Sequence, residues 1–179
     1  MKRVIISLVL CLGMAMAFSS CNKKNSTSEP QKIAPQTWVT DRHYTELDTR
    51  LVFRFNADGS AQFGYLVNDT ILSFLALIAK SDGVSQEVKD MAASAELNDL
   101  LVMDLIYSIK ENEDGRSGQI DLTSKNIALS IQYDEFTGKT VVFHIEDIEE
   151  GADITCHSLK ETGIKIGKSL NGDLIVGKD

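Results

Sequence analysis

Apolar and polar positions alternate with a period of two along most of the chain beyond residue 37. Leu51, Phe53 and Phe55 alternate with Val52, Arg54 and Asn56. After Asn56-Ala57-Asp58-Gly59-Ser60 the alternation resumes at Ala61, Phe63, Tyr65 and Val67. Two alternating runs around Asp-Gly predict a hairpin, because Gly59 takes positive φ at little steric cost and Asp58 reads as its turn partner. The period returns at Leu105, Tyr107 and Ile109, turns at Glu113-Asp114-Gly115, and continues through Ile120, Leu122, Ile127, Leu129, Ile131 and Tyr133. Thr137-Gly138 marks the next turn, before Val141, Phe143 and Ile145. Glu149-Glu150-Gly151 then leads to Ile154, Cys156 and Ser158, and Asn171-Gly172 predicts a last hairpin joining Gly163–Gly167 to Asp173–Val176.

One stretch breaks this rhythm. Thr70 to Lys80 (TILSFLALIAK) is too apolar to lie exposed, and Val84, Val88, Met91 and Leu97 recur at helical spacing. Ser81-Asp82-Gly83 separates the two pieces with turn and capping residues, so two short helices are expected, at about 70–80 and 84–97. Leu72 through Ile78 reads equally as a buried strand, since periodicity alone does not separate the two. Ile71, Leu72, Phe74, Leu75, Leu77 and Ile78 cannot all be exposed on a monomer.

Eight to ten short antiparallel strands with tight turns predict a mainly β fold, an up-and-down barrel with a two-helix insertion after the third strand. The 144 residues from Gln36 to Asp179 suffice for one core, since a domain near that size buries about 68–70% of its unfolded surface. A single domain over 37–179 is expected.

The segment before it has another character. Asn22 to Pro35 is polar and aperiodic and holds both prolines of the chain, so residues 21–36 read as a flexible tether. Upstream, Lys2 and Arg3 precede a mostly apolar run from Val4 to Phe18, too short to span a bilayer, which needs about 20 apolar residues. Ala15-Met16-Ala17 would serve an ordinary cleaved signal. Ser19-Ser20-Cys21, two small residues before a cysteine, resembles the lipobox of bacterial lipoproteins, with Phe18 where Leu is usual. Residues 1–20 are thus expected to be an export signal and Cys21 the lipidated first residue of the mature chain. Asn22 follows that cysteine in place of the Asp associated with inner-membrane retention in enteric bacteria. The expected address is the outer membrane, facing the periplasm.

Charge and cysteine usage narrow the function. The export segment carries two cations and no acid, so the mature chain stands at −10 against −8 for the whole. That sign disfavours phosphate backbones, and no nucleic acid is expected as partner. With Cys11 lost and Cys21 acylated, only Cys156 remains, and no internal disulfide is available.

Thr37-Trp38 followed by Leu51-Val52-Phe53-Arg54-Phe55-Asn56-Ala57-Asp58-Gly59-Ser60 resembles the opening of small lipocalin-like lipoproteins of Gram-negative bacteria. In these a Trp on the first strand precedes a hairpin reading F-x-F-N-x-D-G-[ST]. The resemblance covers Trp38 to Val67. It departs at Gln36, where true lipocalins carry Gly, and at the helical insertion. It implies a barrel, and a bound ligand does not follow from it. One reading is a binding module that holds a small apolar or amphipathic ligand, with Trp38, Phe53, Phe55, Phe63, Tyr65, Tyr133 and Phe143 as candidate lining residues. The alternative is a structural protein with a filled barrel that docks an envelope partner by its outer surface.

Candidate chemistry is sparse. Cys156 shares a strand face with Ile154 and reads as a small buried hydrophobe, while His157 faces the other way, near His144. Two cross-strand histidines could begin a zinc site, but His43 is remote and no dense Cys/His spacing exists, so no metal is expected. Glu146, Asp147, Glu149, Glu150 and Asp153 read as a solvated turn. No glycine-rich phosphate loop, nucleophile elbow or zinc-protease motif appears, so neither an enzyme nor a cofactor is expected. Asp69-Thr70-Ile71 resembles an O-glycosylation sequon of exported proteins, and Asp69 or Thr70 serves equally as an N-cap.

Overall fold

The computed structural model describes residues 32–41, 43, 47–125, 127–145 and 152–172. Cys21, the export segment, the acidic turn at 146–150 and Asp173–Val176 lie outside the described residues. Eight strands alternate in direction and close on themselves: β1 Gln36–Thr40, β2 Leu51–Phe55, β3 Ser60–Leu66, β4 Leu100–Glu111, β5 Gly118–Thr123, β6 Ala128–Asp134, β7 Thr140–Ile145 and β8 Ala152–Ser158. Each pairs with its neighbours in sequence, and β1 with β8 completes the ring at Trp38↔Ser158, Val39↔His157 and Thr40↔Cys156. The mainly β, up-and-down barrel expected from the alternation is the fold, with two helices after β3.

The hairpin at Asp58 forms as the alternation requires. Asp58 Oδ1 accepts from the backbone N–H of Ser60 at 2.9 Å and from its hydroxyl at 2.6 Å, and Gly59 sits at φ 87°. Phe53↔Phe63 and Leu51↔Tyr65 then face each other inside the barrel. Gly64, opposite Val102, lets β3 and β4 approach closely: a Cβ there would lie 2.0 Å from the Leu101 carbonyl oxygen.

Between β3 and β4 the chain is helical, which resolves the strand-or-helix alternative for 72–78. Helix α1 spans Asp69–Lys80. Its N-cap is Asn68, not Asp69 or Thr70: the Asn68 side chain accepts from the Ile71 N–H at 2.9 Å. Asn68 has the extended backbone a cap needs, and the two residues after it are already helical. Ile71 and Leu75 enter the core, Leu72, Phe74 and Ile78 are half-buried, and Leu77 is 67% exposed. Helix α2 is Gln86–Ala93, shorter than the expected 84–97, because Ser85 rather than the Ser81–Gly83 turn caps it and Ser94 ends it. Val88 and Ala92 are its buried residues. The pair closes the barrel end to which β3 delivers the chain.

The opposite end is closed by residues expected in the tether. Ile33 and Ala34 are buried in the main core, and the Trp38 indole N–H donates to the Ile33 carbonyl at 2.9 Å. Two apolar residues in a polar tract carry no period, so their role appears only once the barrel offers them a mouth to fill.

The C-terminal hairpin is also corrected. After the single turn of α3, Leu159–Thr162, residues 163–168 cross the outside of the barrel, and β9, Ser169–Asn171, pairs parallel to Leu100–Val102 of β4. Strand β5 pairs only with Ile106–Glu111, so the start of β4 has an open edge that β9 takes. This strap covers a second apolar cluster on the outer face: Val39, Val52, Leu100 and Val102 pack beneath Leu66, Leu159, Ile164 and Ile166. Asp99 fixes it to the helical return, accepting from the backbone N–H of Glu96 and of Lys168, each at 2.9 Å.

Candidate functional site

All seven aromatic residues expected to line a ligand site point inward and are buried: Trp38, Phe53, Phe55, Phe63, Tyr65, Tyr133 and Phe143. Alternation along five different strands puts them in one core, and three of them make ring contacts with one another. Phe53 stacks on Phe63 with centroids 4.7 Å apart and lies 4.8 Å from Phe143, so three strands' rings meet at mid-barrel. Trp38 meets Phe136 edge-on at 5.9 Å, and Phe55 meets Tyr107 edge-on at 5.2 Å. These are favoured aromatic geometries, with centroids 4.5–7 Å apart. Leu51, Ile120, Leu122, Ile131 and Ile154 fill the layers between them. Burial, with Glu111 and Asp114 nearby, pushes the Tyr133 phenol far above its ordinary range. Phe136 and Tyr107 were missed as interior aromatics; Phe136 lies just beyond a strand end, where alternation gives no signal.

The reactive candidates are dispersed. Cys156 is buried beside Ile154, and burial, then Asp41, drives its thiol well above the ordinary value. His157 stands opposite Thr140, whereas His144 stands opposite Asp153, so the two histidines do not meet. The partners of His144 are acids: Nδ1 lies 2.7 Å from Asp153 and Nε2 3.0 Å from Asp134, on the flanking strands. Burial lowers its pKa, but the hydrogen bonds to Asp153 and Asp134 outweigh that and the net direction is upward. His43 pairs with Asp48 at 3.0 Å. Among the described residues no three His, Cys, Asp or Glu side chains could hold a metal ion together. Thr70 is exposed on the first turn of α1.

A surface depression of about 320 Å³ lies at the tether-side end, lined by residues 35–37, 54–57 and 158–160. It collects the start of β1, the end of β2 with its turn, and the β8–α3 junction. Arg54 and Lys160 are its cations, and no carboxylate lines it among the described residues. Arg54 donates from Nη1 to Gln62 Oε1 at 2.9 Å and to Ser169 Oγ at 3.1 Å, both neutral oxygens, and its partial burial lowers its pKa. No sequence signal pointed here, because the lining comes from three segments more than a hundred residues apart at the extremes.

Against protein-family models, curated proteins and solved structures, the chain matches none. Its class is defined by its architecture: a small, closed, eight-stranded antiparallel β-barrel with a helical cap.

Proposed function

We propose that this is a non-enzymatic, lipid-anchored envelope protein whose barrel is a filled scaffold and whose outer surface is its working surface. The observation that carries the reading is the packing of Phe53 against Phe63 and Phe143 at mid-barrel, where a ligand-binding barrel keeps space. Small barrels are commonly packed solid by such side chains. The lipocalin-like resemblance supports the scaffold, and fold alone assigns no ligand. The anchor rests on Ser19-Ser20-Cys21 after the apolar run, and Asn22 favours the outer membrane with the domain toward the periplasm. The stretch from Cys21 to Lys32 reaches at most about 40 Å. The tether-side end of the barrel therefore stays near the bilayer and the helical cap lies at the far end.

The test is native mass spectrometry on protein purified from its own host membranes. The expected mass is the acylated chain, free of any apolar small molecule in its core. A stoichiometric apolar ligand retained through purification overturns the filled-scaffold reading. Cys21→Ala is expected to leave the membrane fraction, and a processed variant that stays there overturns the anchor.

A further inference from the structure

We propose that the depression on the tether-side rim is an anion site for a phosphate carried on an apolar body, the chemistry of an anionic phospholipid headgroup. The chain holds 26 acids against 18 cations, yet among the described residues this concavity is lined by two cations and no carboxylate. Of the neighbouring acids Glu161 has a cationic partner, while Asp58 and Asp104 keep their charge but are held by neutral donors outside the lining. Glu161 pairs with Lys139 at 3.2 Å, Asp58 accepts from Ser60, and Asp104 accepts from Gln62 Nε2 at 2.8 Å. Arg54 lines the depression, is half-buried, and donates only from Nη1, to Gln62 and Ser169, which lie outside it; binding needs its other N–H groups to turn toward a phosphate, which guanidinium recognises through paired hydrogen bonds. Lys160 has no acidic partner among the described residues, and the Thr37 hydroxyl offers a third donor on the same wall. Pro35 and Leu159 supply apolar lining for a glycerol or acyl portion. A concavity of one sign within an acidic surface focuses its field on an incoming anion.

The placement agrees with a lipid source, because the depression shares its end of the barrel with Ile33 and Ala34, from which the chain runs back to Cys21. That orientation rests on the anchor proposed above; recognition of the anion does not.

The experiment is calorimetric titration of the acylated protein in neutral detergent with three probes: dihexanoyl phosphatidylglycerol, dihexanoyl phosphatidylcholine and inorganic phosphate. Phosphatidylglycerol is expected to bind, and Arg54→Gln and Lys160→Gln are each expected to weaken it about tenfold, the loss of one charge-assisted hydrogen bond. Inorganic phosphate binding as tightly, and lost in the same variants, would support the anion site with free phosphate as its source. Equal binding of phosphatidylcholine and phosphatidylglycerol, or wild-type affinity in both variants, overturns the proposal. Lys160 is exposed, so its variant keeps the fold, and a thermal melt checks Arg54→Gln. Failure of the anchor shows earlier and separately, as protein missing from the membrane fraction; the same titration then runs on the soluble chain.

Discussion

Trp38 donates its indole N–H to the Ile33 carbonyl 2.9 Å away, so the side chain that fills the tether-side end of the barrel also holds the segment that closes it. Ile33 is buried to the same degree as the barrel's own interior. Ile33→Ala is expected to destabilise the domain by about 2–5 kcal/mol, the cost of truncating a buried Ile. Urea unfolding followed by Trp38 fluorescence measures it, and a wild-type midpoint would show that residues before 35 do not belong to the core.

His144 ties three strands through Asp134 and Asp153, and its folded pKa is raised above the ordinary histidine value of about 6.5. A raised pKa means that the folded state holds the proton more tightly than the unfolded one. The stabilisation is thus full below the unfolded value and is lost as pH rises through the folded one. Thermal melts from pH 5 to pH 9 should fall across that window in the wild type, and His144→Gln should remove that component. Identical profiles in the two proteins would deny His144 the role.

Gly64 is the point of closest approach between β3 and β4. Gly64→Ala places a Cβ against the Leu101 carbonyl, backbone that cannot turn aside. The expected loss is about 1–3 kcal/mol or more, as for other overpacked interiors. Gly59→Ala makes a useful contrast, since it meets no atom within 4 Å and is penalised only through its positive φ. Equal stability of the Gly64 variant and wild type would mean that the two strands separate more easily than their pairing suggests.

Cys156 is buried with its thiol pKa driven upward, so little reactive thiolate is available in the native protein. A thiol reagent at pH 8 is expected to reach Cys156 very slowly in the native protein and promptly in denaturant. Fast native labelling would place Cys156 at an accessible surface.

Much of the barrel was legible because its information is local. The Leu51–Leu66 hairpin is written in its alternation and in Asp58-Gly59, and α1 in the apolar density of residues 70–80. Capping was ambiguous because Asn68, Asp69 and Thr70 are three good cap residues in a row, and only backbone conformation selects Asn68. Asn171-Gly172 misled for a different reason. The edge that β9 occupies exists because β4 overruns β5, a fact about two distant strands that no local pattern records. The interior aromatics were placed correctly by alternation, whereas the rim depression was invisible, being assembled only when the β1–β8 closure brings Arg54 and Lys160 to the same rim.

That closure sets an order of events for the folding chain. Trp38 finds Ser158 only after the 119 residues between them have been made, and no shorter fragment can seal the ring. A polypeptide emerging amino end first therefore offers an open, sticky sheet, with the rings of Phe53 and Phe63 uncovered, until nearly the whole barrel sequence has been made. Contacts so distant in sequence form slowly. The interval between arrival of β3 and arrival of β8 is when the apolar face of this sheet is most exposed, and a truncation before residue 158 would prolong that exposed condition indefinitely.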